Sequence, residues 1–132
     1  MRGYNANIEQ LTLDNTSFRH VLHTGAHVQL VLMCLQPGEE IGAEVHAEND
    51  QFFRFESGTG RVTIDDSEYD VADGSAIIVP AGARHNIANM SSTDTLNMYT
   101  IYTPPHHKDG IVRDTREEAE QDAPDFDGAT TE

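Results

Sequence analysis

Short apolar segments separated by turn residues constrain the fold more than any other feature of this sequence. The first, His27 to Leu35, is an aliphatic and β-branched run that Pro37-Gly38 ends, and it indicates a strand buried on both faces. Seven more segments with strand character follow, at residues 43–47, 51–56, 61–64, 68–71, 75–79, 85–88 and 95–102. Short strands at this spacing, with Gly, Pro and Asp between them, predict an all-β antiparallel sandwich or barrel.

The length of 132 residues predicts one domain with one hydrophobic core. We expect three parts along the chain: a lead-in with one strand over residues 1–26, the barrel over 27–112, and an acidic tail over 113–132. No helical pattern precedes residue 114, and no apolar run is long enough to span a membrane.

The C-terminal segment differs from the rest of the chain in being acidic and almost free of large apolar side chains. Thr115 followed by Glu118 matches a capping box, which predicts one short helix that ends at Gln121. Beyond Ala123 we expect a disordered, solvated tail.

The charge balance limits the partners that the chain can bind. Twenty-three Asp and Glu residues against eight Lys and Arg residues give a net charge of −15. Such a surface repels phosphate backbones and anionic lipid, so we expect no binding to nucleic acid or to membranes. An acidic surface with a single lysine is typical of proteins from halophilic organisms. The polar start of the chain lacks a signal sequence and predicts a cytoplasmic protein.

Four polar side chains stand where predicted strands begin or meet. Glu44 and His46 are two residues apart on one strand, so both side chains point to the same face. Gln51 begins the next strand, and alternation puts Phe53 on the same face as Gln51. His85 begins a later strand, directly after the turn Pro80-Ala81-Gly82.

These residues carry a resemblance to the cupin superfamily. The spacing of its first motif is matched by Gly38, Glu44, His46, Gln51 and Gly58. The second motif is matched at every position, by Gly74, Pro80, Gly82, His85 and Asn89. The resemblance implies a double-stranded β-helix, the jelly-roll barrel of cupins, here with a short acidic helix or tail at its C-terminal end.

The resemblance also implies one divalent metal ion held by Glu44, His46, Gln51 and His85. The commonest cupin ligand set has three His and one carboxylate, whereas this chain has Glu44 in place of the first His and Gln51 in place of the Glu. The set keeps one carboxylate and has two oxygen donors, which favours Mn²⁺ or Fe²⁺, with Zn²⁺ and Ni²⁺ still open. The alternative is a barrel that has lost its metal, in which these residues are ordinary polar lining.

The fold leaves the function open. The ligand set resembles that of phosphomannose isomerases and of small cupins that process unsaturated uronates, which implies an isomerase or lyase acting on a small hydroxy-carbonyl, sugar-like substrate. Glu44 is then the nearest carboxylate base. Whichever of Tyr99 or Tyr102 points inward is the best proton donor. We assign Glu44 and Tyr102 as the catalytic residues. The alternatives are a non-haem iron dioxygenase, which two His and one carboxylate suit, and a non-catalytic metal-binding or small-molecule-binding module.

Several other residues have weaker signals. No basic cluster accompanies the motif residues, which favours a neutral or weakly charged substrate. The pair His106-His107 is interpreted as a solvated loop rather than a lid on the barrel. Cys34 is expected to be a buried structural thiol. Arg54 alternates away from Gln51, so it should face outward, where a barrel face can form a homodimer.

Overall fold

Two antiparallel sheets pack face to face to form the barrel in the computed structural model, which describes all 132 residues. The larger sheet has six strands in the order β10-β1-β2-β9-β4-β7, and the smaller has four in the order β3-β8-β5-β6. The strands are β1 Arg19–Thr24, β2 Gln29–Leu35, β3 Glu44–Val45, β4 Asp50–Ser57, β5 Thr59–Ile64, β6 Ser67–Ala72, β7 Ala76–Val79, β8 Arg84–Asn89, β9 Leu96–Thr103 and β10 Val112–Arg113. The helices are α1 Ile8–Asp14 and α2 Arg116–Gln121. The predicted all-β antiparallel barrel is confirmed.

Side chains that alternate inward from both sheets fill the core. On β4, Phe53 and Phe55 are fully buried and share their face with Gln51, as the alternation predicts. Val62 and Ile87 of the smaller sheet belong to the same apolar cluster. The outward residues of β4 are more exposed, and Arg54 is among them, with 39% of its side chain in solvent.

Helix α1 was not predicted, and it explains why β2 is buried on both of its faces. The helix packs against β2, β4 and β9 on the outer side of the larger sheet, where Cys34 is buried as expected. Asn97 of β9 holds the helix against the sheet. Its side-chain Nδ2 donates hydrogen bonds to the carbonyl groups of Thr12 and Asn15 at 3.0 and 2.9 Å. A helix of seven residues, begun by Asn7 as N-cap, is too short to show a clear 3.6-residue period.

The C-terminal segment forms the predicted helix, and the part beyond the helix, which was expected to be disordered, contacts the barrel. Thr115 accepts a hydrogen bond from the backbone N–H of Glu118 at 3.1 Å and so caps α2. The chain then returns to the barrel instead of forming a disordered tail, because the backbone of residues 124–126 pairs with that of residues 106–108. These backbone bonds hold the segment in place even though it has few large apolar side chains.

None of the helices has the length and apolar character that crossing a bilayer requires.

Candidate metal centre

Pairing between β3 and β8 brings three of the predicted ligands together. In this register Glu44 lies opposite His85, and His46 follows directly after β3. One ligand atom from each of the three side chains lies within 4.8 Å of the others. These residues are 41 positions apart at most in the sequence, and the second motif's turn at Gly82 contributes to their approach, since its N–H donates to the carbonyl of His46 at 3.0 Å.

Gln51 enters from the opposite sheet with an oxygen that no group in the protein satisfies. The side chain is 3% exposed, and its Nε2 donates to Thr100 Oγ1 at 3.0 Å. This bond fixes the amide orientation and leaves Oε1 buried without a hydrogen-bond partner. Burying an acceptor in this way costs roughly 1–3 kcal/mol. A bound cation would remove that cost, so Gln51 fits the role of an oxygen ligand.

The protonation states also suit a cation. Burial raises the pKa of Glu44, but the hydrogen bond from His46 and the nearby positive charges outweigh it, so the pKa lies below its usual value and the carboxylate is ionised. Burial lowers the pKa of His85, which favours the neutral imidazole that metals bind. The Nδ1 atom of His85 lies 3.2 Å from the carbonyl oxygen of Ala83. That carbonyl can accept a hydrogen bond from Nδ1–H, which leaves Nε2 free as a ligand.

A cavity of about 260 Å³ opens beside Glu44 and His46. Apart from Ile41, its remaining wall comes from segments outside both motifs, at the start of β1, in the loop after β9, and along α2 and the chain that follows it. The volume is slightly below the roughly 300–1,000 Å³ of pockets that hold drug-sized ligands, so the cavity suits a small molecule.

The segment His106-His107 forms part of this wall and is not the solvated loop that was expected. The Oε1 atom of Gln29 accepts hydrogen bonds from the backbone N–H groups of both histidines, at 3.1 and 2.9 Å, and the Gln29 amide donates to the carbonyl of His107 at 2.7 Å. The His106 ring is centred 4.3 Å from that of His46. Gln29, a fully buried amide in an otherwise apolar strand, was the sequence signal for this anchor.

Tyr102 is the inward member of the two candidate tyrosines. It is 2% exposed, and its ring centre lies 5.7 Å from that of His46. Its hydroxyl lies 3.2 Å from Nε2 of His107. Burial raises the pKa of Tyr102 well above its usual value, so the hydroxyl keeps its proton. Tyr99 is only partly buried and lies on the other face of β9.

The cavity is also lined by two arginines that the sequence did not associate with the site. Arg19 is the first residue of β1, and Arg116 is the first residue of α2. Neither is near the motif residues in sequence, which is why no basic cluster was recognised. The premise for a neutral substrate was therefore wrong, since the fold supplies two guanidinium groups to the cavity.

Comparison with known proteins agrees with this architecture. The sequence matches the family described as "Cupin domain" over residues 31–102, which is more than half of the chain. The chain belongs to the cupin family. The crystal structure of BH2720 from Bacillus halodurans matches 92% of this chain and 96% of its own, with a TM-score of 0.89 and 40% sequence identity.

Two related sequences also match most of this cupin. The uncharacterized protein YrkC of Bacillus subtilis is 44% identical over 119 residues, which is 86% of this chain and 63% of YrkC. This cupin thus spans less than two thirds of that relative. The uncharacterized protein L612 of Acanthamoeba polyphaga mimivirus is 42% identical over 112 residues, covering 83% of this chain and 70% of L612.

Proposed function

We propose that this cupin is a metal-dependent isomerase or lyase that acts on a small hydroxy-carbonyl, sugar-like substrate. The observation that carries the proposal is the cluster of Glu44, His46 and His85. Two of its members, Glu44 and His46, line a cavity sized for a small molecule. The unpartnered Oε1 of Gln51 supports the same interpretation, since an amide oxygen with no bond inside the protein is free for a ligand role.

One divalent metal ion would be held by Glu44, His46, Gln51 and His85. Two imidazoles, one carboxylate and one amide oxygen form a mixed set that suits Mn²⁺, Fe²⁺ or Zn²⁺, and Ni²⁺ is also compatible. When bound, such an ion polarises a carbonyl oxygen and makes the neighbouring C–H bond more acidic.

The residues of the cavity then have to bind the substrate and move a proton. Glu44 is the nearest carboxylate, but a carboxylate that binds metal is a weaker base. His106 is an unliganded imidazole in the cavity wall and can accept the proton in its place. Tyr102, which keeps its proton and contacts His107, is the donor for an oxygen of the substrate.

A non-haem iron dioxygenase is the second candidate. Glu44, His46 and His85 alone form a two-His, one-carboxylate set, which is the arrangement that such enzymes use. Gln51 would then be a weaker fourth ligand to the ion. The choice between the two functions depends on which metal the protein retains.

The first experiment is elemental analysis of the untagged protein, followed by two activity measurements on it. We expect about one Mn or Zn per chain, no dioxygen uptake with catechol or acetylacetone, and exchange of the hydrogen next to the carbonyl when aldoses and ketoses are incubated in D₂O and observed by ¹H NMR. Stoichiometric Fe with dioxygen uptake would support the dioxygenase instead. Bound metal with neither activity would leave a non-catalytic binding module.

Removing a predicted ligand tests the metal site itself. His85→Ala deletes one imidazole from the cluster, and the variant should lose the metal, since loss of one of four ligands weakens binding by at least about 10–100-fold. The matched control is His27→Ala, which changes an exposed histidine outside the cavity. Full metal occupancy in His85→Ala, measured by elemental analysis, would contradict the assigned ligand set.

A further inference from the structure

Side-chain alternation along β1 places Arg19 on the face of the strand that points into the barrel. It shares its face with Val21, a core residue, and pairs in register with the buried Met33 of β2. Only 6% of Arg19 is exposed, and the part that is not covered by protein lines the cavity next to Glu44 and His46.

No carboxylate neutralises Arg19. Four other arginines have a carboxylate oxygen within 4.0 Å, namely Arg54, Arg61, Arg113 and Arg116. Arg19 has no such contact, and its Nε is buried without a hydrogen-bond partner. The residue opposite it on β10 is another arginine, Arg113, which is paired with Asp122. The guanidinium carbon lies 5.5 Å from the centre of the Phe18 ring, which is its only recorded favourable side-chain contact. A buried guanidinium without an ionic partner is unfavourable, so a protein that keeps one at a binding cavity has a use for its charge.

The remaining charges of the cavity do not cancel that of Arg19. Glu120 lies 3.1 Å from Arg116 and is paired with it. Asp125 is an exposed residue at the rim. Glu44 is a proposed metal ligand, and a divalent ion more than neutralises it. The buried end of the cavity is therefore positive when the metal is bound.

We propose that the substrate is a small organic acid. Arg19 would bind its carboxylate, and its carbonyl or hydroxyl oxygen would face the proposed metal site. This inference rests on the proposed function and names its substrate class. A planar guanidinium matches one carboxylate in a two-point contact. A phosphate dianion calls for more positive charge, and the second arginine of the cavity is already paired with Glu120. The volume of about 260 Å³ suits a small acid.

The test compares two molecules that differ only in the charged group. Glycerate and its amide, glyceramide, are titrated by calorimetry into the full chain loaded with Mn²⁺. Wild-type protein should bind glycerate at least about tenfold more tightly than glyceramide, as expected for a charge-assisted contact. Equal affinity for the two would overturn the proposal.

Two variants remove the charge of Arg19 and one control removes a charge elsewhere. Arg19→Gln and Arg19→Met should both lose the preference for glycerate and retain Mn²⁺. The control Arg61→Gln, at an exposed residue paired with Asp70, should keep the preference. A preference that survives in Arg19→Gln would show that the metal alone selects the acid, and would overturn the role of Arg19.

Thermal melting tests the role of Arg19 through protein stability, without a catalytic assay. Since Arg19 is buried without an ionic partner, the metal-free Arg19→Gln protein should melt at or above the wild-type temperature, and glycerate should raise the melting temperature of wild type but not of the variant. A large drop in melting temperature for both Arg19 variants would assign the residue a structural role instead.

The inference and the proposed function can fail separately. A protein that retains no metal but still prefers glycerate through Arg19 would refute the metal-dependent function and leave the acid-binding site. A protein that retains metal and exchanges the hydrogen of a neutral sugar, without any preference for glycerate, would leave the function and refute the acid.

Discussion

His107 is a buried histidine in the cavity wall that takes no part in the proposed metal set. It is 5% exposed, and burial lowers its pKa to about 2, with the charges of Arg19 and His106 acting in the same direction. The folded protein therefore holds this imidazole neutral at every ordinary pH. Its Nε2 contacts the Tyr102 hydroxyl at 3.2 Å, so the neutral ring also fixes the proposed proton donor.

The buried neutral state of His107 makes stability depend on pH. The unfolded chain protonates His107 below its ordinary pKa of about 6.5, whereas the folded chain does not, so stability falls as pH decreases through and below that value. Between pH 7 and pH 5 this group alone should cost about 2 kcal/mol. Urea denaturation of chelator-treated His107→Gln should show a loss smaller by that amount. His27→Gln is the control, and a wild-type pH dependence in His107→Gln would contradict the assignment.

At the scale of elements, the second motif contributes a clamp between loops as well as a ligand. Asn89 ends β8, and its Nδ2 lies within hydrogen-bond distance of the carbonyl oxygens of Leu35, Gln36 and Asp94, at 3.1, 3.1 and 2.8 Å. Its Oδ1 accepts from the N–H of Ser91 at 2.9 Å. One buried amide thus joins the end of β2 to the loop before β9, at the opposite end of β8 from His85.

Removing this clamp should affect stability and leave the metal site intact. Asn89→Ala leaves the buried carbonyl of Leu35 and the partly buried carbonyls of Gln36 and Asp94 without this donor, and we expect a loss of about 2–4 kcal/mol in the free energy of unfolding. Chemical denaturation measures the loss, and elemental analysis should find wild-type metal content at a temperature where the variant is folded. The exposed Asn5→Ala is the control. Loss of metal from folded Asn89→Ala would contradict this separation.

At the scale of the whole molecule, the acidic charge controls stability. A net charge of −15 on 132 residues produces self-repulsion that only counterions can screen. The Debye length falls from roughly 30 Å at 0.01 M salt to about 10 Å at 0.1 M.

The melting temperature should therefore rise with KCl concentration, by on the order of 5 °C between low salt and about 0.5 M, and then level off. Sucrose at equal osmolality is the control, because it stabilises proteins without screening charge. A melting temperature that does not change with KCl would contradict self-repulsion as a limit on stability.

The outer face of the larger sheet is the expected site of a homodimer. Ile78 on the edge strand β7 is 68% exposed and pairs in register with Phe52, whose ring is centred 6.2 Å from that of Tyr99. These apolar groups lie on the face towards which Arg54 points.

Ile78→Asp should convert a dimer to a monomer in light scattering coupled to gel filtration, because a carboxylate cannot be buried unpaired in that contact. Tyr69→Asp, on the exposed strand β6 of the other sheet, is the control. A monomeric wild-type protein would contradict the expected dimer.

Much of this architecture was predictable because it depends on local pattern. The strand segments were recognised from two-residue alternation and from the turns that end them, and both signals lie within a few residues of each other. The helix α2 was recognised from its capping residues, Thr115 and Glu118. The four predicted ligands came from the resemblance to the cupin motifs, and the fold brings three of them, Glu44, His46 and His85, together.

The tertiary structure decided what surrounds those ligands. Arg19, His106 and Arg116 reach the cavity through β1 pairing, the Gln29 anchor and the return of the tail, and each of these contacts joins residues far apart in the chain. No short-range pattern records such contacts, since their free energy comes from burial and hydrogen bonds formed only in the folded chain. The sequence by itself thus determined the barrel and the candidate metal ligands, and the packing of distant segments determined the charge of the cavity.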